Sequence, residues 1–202
     1  MVGALALLGL GAAQAATPKD WDAAFSGGTP AVHLSATVVG RDGRAQALEF
    51  WRDASGAVVR RTGNAVELRL TPAPDGEDAY QLRDVAKKSA YDVHRVNLFR
   101  VGIFTDRWSV QHLLDTPRAA YSLAVGAEEQ TRFGPCRWVT VTPQGGAATE
   151  ACWSAQVGLP LRERVVGREV FTVTALDRAP LPAAGLPQGW QEFDADEDLA
   201  PD

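Results

Sequence analysis

The chain has 202 residues, and 46% of them are hydrophobic, which is enough apolar material to build one globular core. Its 25 acidic residues outnumber its 20 Lys and Arg, so the formal net charge is −5. Nucleic-acid binding depends on basic patches, and this balance argues against a nucleic-acid partner. No polybasic amphipathic segment is present that would hold the chain on an anionic membrane surface.

Residues 1–15 are predicted to be a signal peptide. Leu5–Leu10 form a short apolar segment, and Ala13-Gln14-Ala15 fits the small-x-small pattern of a cleavage site. Neither this segment nor any later one reaches the roughly 20 apolar residues of a membrane span, so we do not expect an integral membrane protein. Because no Lys or Arg precedes the apolar segment, an ordinary apolar N-terminal tail remains an alternative. An export signal predicts a periplasmic protein.

Short alternating segments separated by turn residues follow, a pattern typical of antiparallel sheet. Residues 32–38 alternate between apolar and polar side chains, and Gly40–Gly43 predicts a turn into the next strand, residues 46–52. A second turn is predicted at Asp53–Gly56, and the same rhythm continues to residue 71. Strand starts spaced about 8–12 residues apart indicate a sandwich, a barrel or a large curved sheet.

The rhythm changes across residues 95–115, where apolar side chains follow helical spacing. Thr105-Asp106 is a predicted N-cap within this stretch, and Pro117 should stop the helix. We therefore expect one broken helix or two short ones, apolar enough to be buried against the sheet. Strand patterns resume at Tyr121 and continue to Leu176.

The last part of the chain has a different composition. After Asp177 it is rich in Pro, Ala and Gly, and residues 191–202 are predicted to form an acidic disordered tail. Residues 16–190 are expected to form a single domain.

Cys136 and Cys152 are the two cysteines of the chain. Pro143-Gln144-Gly145-Gly146 predicts a turn between them, so two strands folded back around residue 144 would bring the cysteines face to face. An exported chain enters an oxidising compartment, which favours a disulfide between the two strands of this hairpin. Two buried, reduced thiols are the alternative.

We find no arrangement of residues that predicts catalysis, a metal or a cofactor. His33, His94 and His112 are far apart and lack metal-ligand spacing, and no nucleophile elbow, phosphate loop or dinucleotide motif is present. A non-enzymatic protein is therefore expected. An enzyme whose site assembles from scattered residues remains a minor alternative.

Six tryptophans are many for a chain of this length. Core packing explains any single one of them, since aromatic side chains bury a large area. As a group they also fit an apolar cavity lined by a curved sheet and its helix.

Two short motifs carry a family resemblance. Gly158-Leu159-Pro160-Leu161-Arg162 leads into a late strand, and Leu186-Pro187-Gln188-Gly189-Trp190 lies near the end of the chain. With the order of strands, apolar helix and further strands, they make residues 30–190 resemble the periplasmic lipoprotein-carrier-like (LolA-like) superfamily of outer-membrane lipoprotein-sorting-type proteins. The cysteine pair is not a general feature of the lipoprotein carrier, so the resemblance does not assign lipoprotein delivery.

The resemblance implies a mainly β (α+β) fold, an incomplete antiparallel β-barrel of about ten strands whose open side is covered by one or two short helices. In that superfamily the barrel surrounds an apolar cavity that takes up acyl chains. We therefore expect a monomer that binds a lipid, an acylated protein or another apolar ligand, or alternatively an interaction or stress-sensor module that engages an envelope protein without lipid. Face alternation and helical spacing select nine candidate lining residues: Phe50, Leu70, Leu98, Phe99, Ile103, Phe104, Trp108, Leu123 and Phe171.

Overall fold

A computed structural model describes residues 18–40, 42–94, 98 and 106–194. The predicted signal peptide, residues 1–15, lies outside this range. The described chain is mainly β, with one large sheet that is not closed into a barrel and two short helices, so the predicted fold class is confirmed. The sheet contains twelve strands where the sequence predicts about ten.

The elements follow one another in an order that matches the predicted succession of strands, helix and strands. They are α1 (Pro18–Ala24), β1 (Val32–Val39), β2 (Ala45–Arg52), β3 (Val58–Thr62), β4 (Val66–Thr71), β5 (Ala79–Asp84), β6 (Ser89–Val93), α2 (Arg107–His112), β7 (Tyr121–Thr131), β8 (Gly134–Pro143), β9 (Thr149–Ser154), β10 (Leu159–Val165), β11 (Arg168–Asp177) and β12 (Gln191–Asp194).

The strand order across the sheet is β12-β6-β5-β4-β3-β2-β1-β11-β10-β9-β8-β7. Every neighbouring pair is antiparallel except β12 and β6, which run parallel. The sheet is therefore two runs of consecutive antiparallel strands that meet where β1 pairs with β11.

Short polar turns connect the strands as the sequence predicts. At the turn between β2 and β3, the backbone N–H of Gly56 donates to the carbonyl of Asp53. The Asp53 carboxylate also accepts hydrogen bonds from the backbone N–H groups of Ser55 and Ala57, at 2.8 and 3.0 Å. Aspartate favours such turns because its short side chain can bond the backbone two residues on.

Helix α2 begins at the predicted cap. The Asp106 carboxylate accepts a hydrogen bond from the backbone N–H of Ser109 at 2.7 Å, and the helix ends at Leu113, which adopts a left-handed conformation with φ 55°. The helix thus stops four residues before Pro117, the predicted terminator. Apart from Leu98, the predicted helical residues 95–105 lie outside the described residues.

Aromatic side chains join the two helices to the sheet. Trp21 of α1 contacts Phe25, the residue that follows the helix, with ring centroids 4.4 Å apart, and Phe25 meets Trp153 of β9 edge-on at 5.3 Å. Trp108 of α2 stacks on Trp153 at 6.1 Å. Three of the six tryptophans therefore belong to one packed cluster, which supports the core-packing interpretation for them.

A buried guanidinium ties three separate segments together. Arg52, at the end of β2, is 1% exposed and donates to the carbonyls of Pro30, Gln111, Val157 and Gly158. These carbonyls belong to the segment before β1, helix α2 and the turn between β9 and β10. Burial lowers the pKa of Arg52 to about 10, so the group stays charged at neutral pH.

The same turn explains one glycine of the family-like motif. Gly158 has φ 60°, and a Cβ at this position would lie 2.2 Å from the carbonyl oxygen of Gly28. A larger residue would push the turn away from the segment that Arg52 holds against it.

On one face of the sheet, which we call the convex face, one buried carboxylate is surrounded by arginines. Glu67 of β4 bonds Arg61, Arg69 and Arg83, with the two shortest contacts at 2.5 and 2.6 Å. Arg69 and Arg83 also donate to backbone carbonyls of Pro182 and Ala184. The segment after β11 therefore crosses this face and is held there by the arginine cluster.

That segment ends in β12, where the sequence predicts a disordered tail from residue 191. Gln191–Asp194 pair in parallel with Ser89–Asp92 of β6, and Phe193 stacks on Tyr91 at 5.3 Å. The prediction is wrong for these four residues, because pairing with a distant strand outweighs their acidic composition. Residues 195–202 lie outside the described range.

The predicted hairpin and disulfide are both present. Gly146 donates to the carbonyl of Pro143 at the turn, and Cys136 is bonded to Cys152 with Cα atoms 5.2 Å apart. The register differs from the prediction, since Cys152 lies opposite Trp138 and the cysteines are two positions out of step. Their Cα separation still falls in the ordinary range for disulfides.

Replacing both cysteines by alanine should lower the free energy of unfolding by about 3 kcal/mol, because the bridge closes a loop of about 15 residues in the unfolded chain. Urea denaturation followed by tryptophan fluorescence measures the change. Wild type under reducing conditions is the control and should unfold at nearly the same urea concentration as the double variant. Equal midpoints for oxidised wild type and the variant would contradict the role of the bridge.

Arg52→Ala should destabilise the fold by at least about 3 kcal/mol, since four carbonyls lose a charged donor in a buried setting. Arg52→Lys should recover only part of the loss, because one ammonium cannot reach three segments as the planar guanidinium does. Arg44→Ala, at an arginine whose side chain is 85% exposed, is the matched control and should change stability little. An Arg52→Ala variant whose free energy of unfolding in urea is close to that of wild type would contradict this role of Arg52.

Candidate functional site

The concave face of the sheet encloses a cavity of about 700 Å³. Its lining is mostly aliphatic and comes from β1–β4, β8–β11 and the segment that follows α2. The lining residues are Val38, Val39, Leu48, Arg60, Thr62, Val66, Leu68, Leu113, Leu114, Asp115, Pro117, Val141, Pro143, Thr149, Glu163, Val165, Val170 and Phe171.

Strand pairing places these side chains on one face. Phe171 of β11 lies opposite both Val38 of β1 and Glu163 of β10. Thr149 of β9 lies opposite both Val141 of β8 and Val165 of β10. Directly opposed residues in an antiparallel sheet point to the same side, so this row forms a continuous wall.

The segment after α2 supplies the remaining wall. Leu113 and Leu114 are buried and line the cavity, whereas Asp115 is exposed and marks where the cavity meets solvent. Because Arg52 binds the carbonyl of Gln111, the end of α2 is fixed over the concave face.

Three charged residues line this otherwise apolar space: Arg60 from β3, Asp115 after α2 and Glu163 from β10. Four strand-to-strand steps separate β3 from β10, about 19 Å on a flat sheet. The charge of Arg60 nevertheless acts on Glu163, because the curled sheet turns the two side chains toward a common interior. Burial lowers the pKa of Arg60 to about 10, and the two carboxylates oppose that shift.

Glu163 is the most perturbed acid of the cavity. Burial, and after it the negative charge of Asp115, raises the pKa of Glu163 to about 8, and Arg60 counteracts this only in part. Its Oε1 atom is out of reach of solvent and makes no hydrogen bond within the described structure. Glu163 is therefore mostly protonated and uncharged at pH 7.

Of the nine residues predicted to line a cavity, Phe171 does so. Phe50, Leu70 and Leu98 are fully buried in the main core cluster, outside the cavity lining. Trp108 and Leu123 pack against the second cluster, around Trp21 and Phe25. Phe99, Ile103 and Phe104 lie outside the described residues. Ligand contact by any of the nine stays a prediction.

Arg60 and Glu163 line the cavity but are not among the residues predicted from the sequence. Each interrupts an apolar alternation: Glu163 follows Leu159 and Leu161 at two-residue spacing, and Arg60 follows Val58. A charged residue at an inward position of a strand is the signal that could have identified them, since such positions are ordinarily apolar. The six tryptophans, by contrast, do not line this cavity.

The described residues contain neither a metal-binding cluster nor a helix suited to crossing a membrane. No group of three or more His, Cys, Asp or Glu side chains is placed there to hold a metal ion. Among the described helices, none has the length and apolar character needed to cross a membrane.

Comparison with known proteins gives structural matches alone. No family model matches the sequence, and no curated protein sequence is significantly similar to it. An uncharacterized conserved protein from Thermus thermophilus superposes with a TM-score of 0.50 at 14% identity, over 81% of this chain and 90% of that one. The two chains share a fold.

MucB also matches, with a TM-score of 0.45 at 19% identity over 85% of this chain, which spans 62% of MucB. An outer membrane lipoprotein-sorting protein domain from Vibrio parahaemolyticus matches with a TM-score of 0.33 at 9% identity, over 82% of this chain and 92% of that domain. A lipoprotein-sorting domain is among the structures that match, as the sequence resemblance predicts, and at these identities the likeness concerns the fold alone.

The raised pKa of Glu163 predicts a pH-dependent stability. Between an unfolded value near 4.5 and a folded value of about 8, the folded chain holds a proton that the unfolded chain has lost, so stability falls as the pH rises. Buried His112, whose pKa burial lowers to about 4 from 6.5, has the opposite effect below pH 6.5. Between pH 6.5 and 8 the effect of His112 no longer contributes, so the effect of Glu163 is measured in that window.

As the pH rises through that window, the free energy of unfolding of wild type should fall by up to about 2 kcal/mol relative to that of Glu163→Gln, which has no titratable group at position 163. Urea denaturation at a series of pH values measures both proteins. Glu150→Gln is the control, because Glu150 lies on β9 next to cavity-lining Thr149 and so on the opposite face. Parallel stability curves for wild type and Glu163→Gln would show that Glu163 is ionised throughout.

Proposed function

We propose that this chain is a non-catalytic binding protein that holds a lipid, an acylated partner or another apolar ligand in the concave cavity. The proposal rests on the cavity inside the curled sheet, which has a volume of about 700 Å³ and a mostly aliphatic lining. Pockets for small molecules in proteins measure about 300–1,000 Å³ and are lined mainly by hydrophobic side chains. Volume and lining both fit that class of site.

Side-chain size supports the same function. Several inward positions of the wall carry short β-branched side chains: Val38, Thr62, Val141, Thr149 and Val165. Leucine or phenylalanine at these positions would fill much of the space, and protein interiors are ordinarily packed without such gaps. The lining therefore keeps open a volume that an apolar ligand can occupy.

Apolar burial would drive the association. Each Å² of apolar ligand and wall removed from water contributes about 25 cal/mol, from which the cost of ordering the ligand is subtracted. No reacting group is needed for this function, and we propose no catalytic residue.

We further propose that the protein acts in the periplasm as a monomer, and that residues 16–190 together with strand β12 form a single domain. The disulfide between Cys136 and Cys152 supports an oxidising compartment, since such bonds are rare in reducing cytosol. An export signal at residues 1–15 would deliver it there.

One observation favours a second candidate, an interaction module for an envelope protein. Strand β7 is 11 residues long, lies at an edge of the sheet and exposes several side chains, including Val125. In the described chain β8 is its one strand neighbour, so its outer backbone groups could accept a strand from a partner. A pull-down that recovers one stoichiometric protein and no lipid would favour this candidate over the first.

Filling the cavity should abolish apolar binding. Val165→Trp places a large side chain on the cavity wall, and we expect it to reduce the affinity for the fluorescent dye N-phenylnaphthylamine at least tenfold. Val125→Trp is the matched control, because Val125 is 56% exposed on β7 and outside the cavity lining. It should bind the dye as wild type does.

Native mass spectrometry of gently purified protein, followed by lipid extraction, identifies the natural ligand. Wild type should carry a co-purifying apolar molecule that Val165→Trp lacks. Wild type that neither binds the dye nor retains any ligand would remove the proposed function.

A further inference from the structure

The cavity contains charges that an apolar ligand alone does not require. Arg60, Asp115 and Glu163 reach it from β3, from the segment after α2 and from β10. Asp115 also feels Asp106 and Arg118, which are the other charged groups acting on this cluster in the described structure. Burying such groups costs free energy unless they are paired and hydrogen-bonded, by the protein or by a bound ligand.

We infer that Arg60, Asp115 and Glu163 make the cavity select an apolar ligand with an uncharged, hydrogen-bonding head, such as a hydroxyl or an amide, over a ligand that ends in a carboxylate. This inference rests on the proposed function and adds the chemical class of the ligand's polar end.

The balance of charge supports this selection. Near neutral pH, Arg60 is positive and Glu163 is mostly protonated. Burial raises the pKa of Asp115 at the cavity mouth, and the charge of Arg60 opposes this shift. The charges of Arg60 and Asp115 thus act on each other within the cavity wall. A ligand carboxylate would compete with Asp115 for the charge of Arg60 and would lie beside the lone pairs of Glu163.

The chemistry of Glu163 favours an uncharged head. A protonated carboxyl has one O–H donor and remaining acceptor capacity, so it can bond a hydroxyl or amide in either direction. Its Oε1 atom has no hydrogen-bond partner in the described structure. Since the terminal carboxyl torsion turns readily, either oxygen can be presented to a ligand head.

A matched pair of ligands tests the inference. Dodecanol and dodecanoate have the same apolar chain and differ in the head, and each is titrated against dye-loaded protein at pH 7. Dodecanol should displace the dye from wild type at about tenfold lower concentration, the factor that corresponds to one unsatisfied polar contact.

The decisive variant is Asp115→Asn/Glu163→Gln, which leaves Arg60 as the charged residue among the described lining. The preference should then shift at least tenfold toward dodecanoate. Glu77→Gln/Glu150→Gln replaces two carboxyl groups by uncharged amides outside the cavity lining and should keep the wild-type preference. The comparison between the two double variants removes any general effect of ligand charge or solubility.

Two measurements keep the test informative if the double variant folds poorly. The single variant Asp115→Asn alters an exposed position and should shift the preference in the same direction by a smaller factor. Raising the pH from 7 to 9 on wild type ionises Glu163 and should weaken dodecanoate more than dodecanol, since the ligand carboxylate is ionised throughout.

The outcomes separate the two claims. If the ratio of the dodecanol and dodecanoate affinities is the same in wild type, in the cavity variants and across the pH series, the proposed selection is wrong. The proposed function would not be affected by that result. Failure of both ligands to displace the dye, together with equal dye binding by Val165→Trp, overturns both.

Discussion

One buried guanidinium determines where the walls of the cavity stand. Arg52 draws together the segment before β1, helix α2 and the turn between β9 and β10, and it does so through backbone carbonyls, with no carboxylate bonded to it among the described residues. Carbonyls satisfy the charge without adding a second titratable group to the interior. By holding α2, Arg52 sets the position of Leu113 and Leu114, so the shape of the candidate site depends on an interaction outside it.

The buried acidic residues on the two faces of the sheet differ in their hydrogen bonding. On the convex face Glu67 is surrounded by three arginines, and every member of that cluster bonds another or a backbone carbonyl. On the concave face Glu163 keeps an oxygen without a hydrogen bond and holds a proton near neutral pH. A satisfied ionic cluster fixes structure, whereas an unsatisfied carboxyl in an open cavity reduces stability until a ligand contacts it. This contrast is why we place function on the concave side.

Features that depend on neighbours in sequence could be predicted. The alternation of β1 and β2, the Asp53 turn, the Asp106 cap and the cysteine hairpin all follow from a few adjacent residues. Alternation also gives the inward face of a strand but not the point along it where a cavity opens. Phe50 and Leu70 share that face with the cavity-lining residues Leu48 and Leu68. Two residues further along each strand, however, they are packed in the core and do not line the cavity. Strand β12 was unpredictable for another reason, because its partner lies about a hundred residues away.

The meeting of β1 with β11 has a consequence for how the chain folds. His33 and Asp177 bond across this pair although they are 144 residues apart in sequence. During synthesis β1 can pair with β2 early, but its other edge stays open until almost the whole chain exists. Such distant contacts slow folding, and an open edge with Val32 and Leu34 beside it invites pairing with other chains. The centre of the finished sheet is therefore among the last parts of it to form.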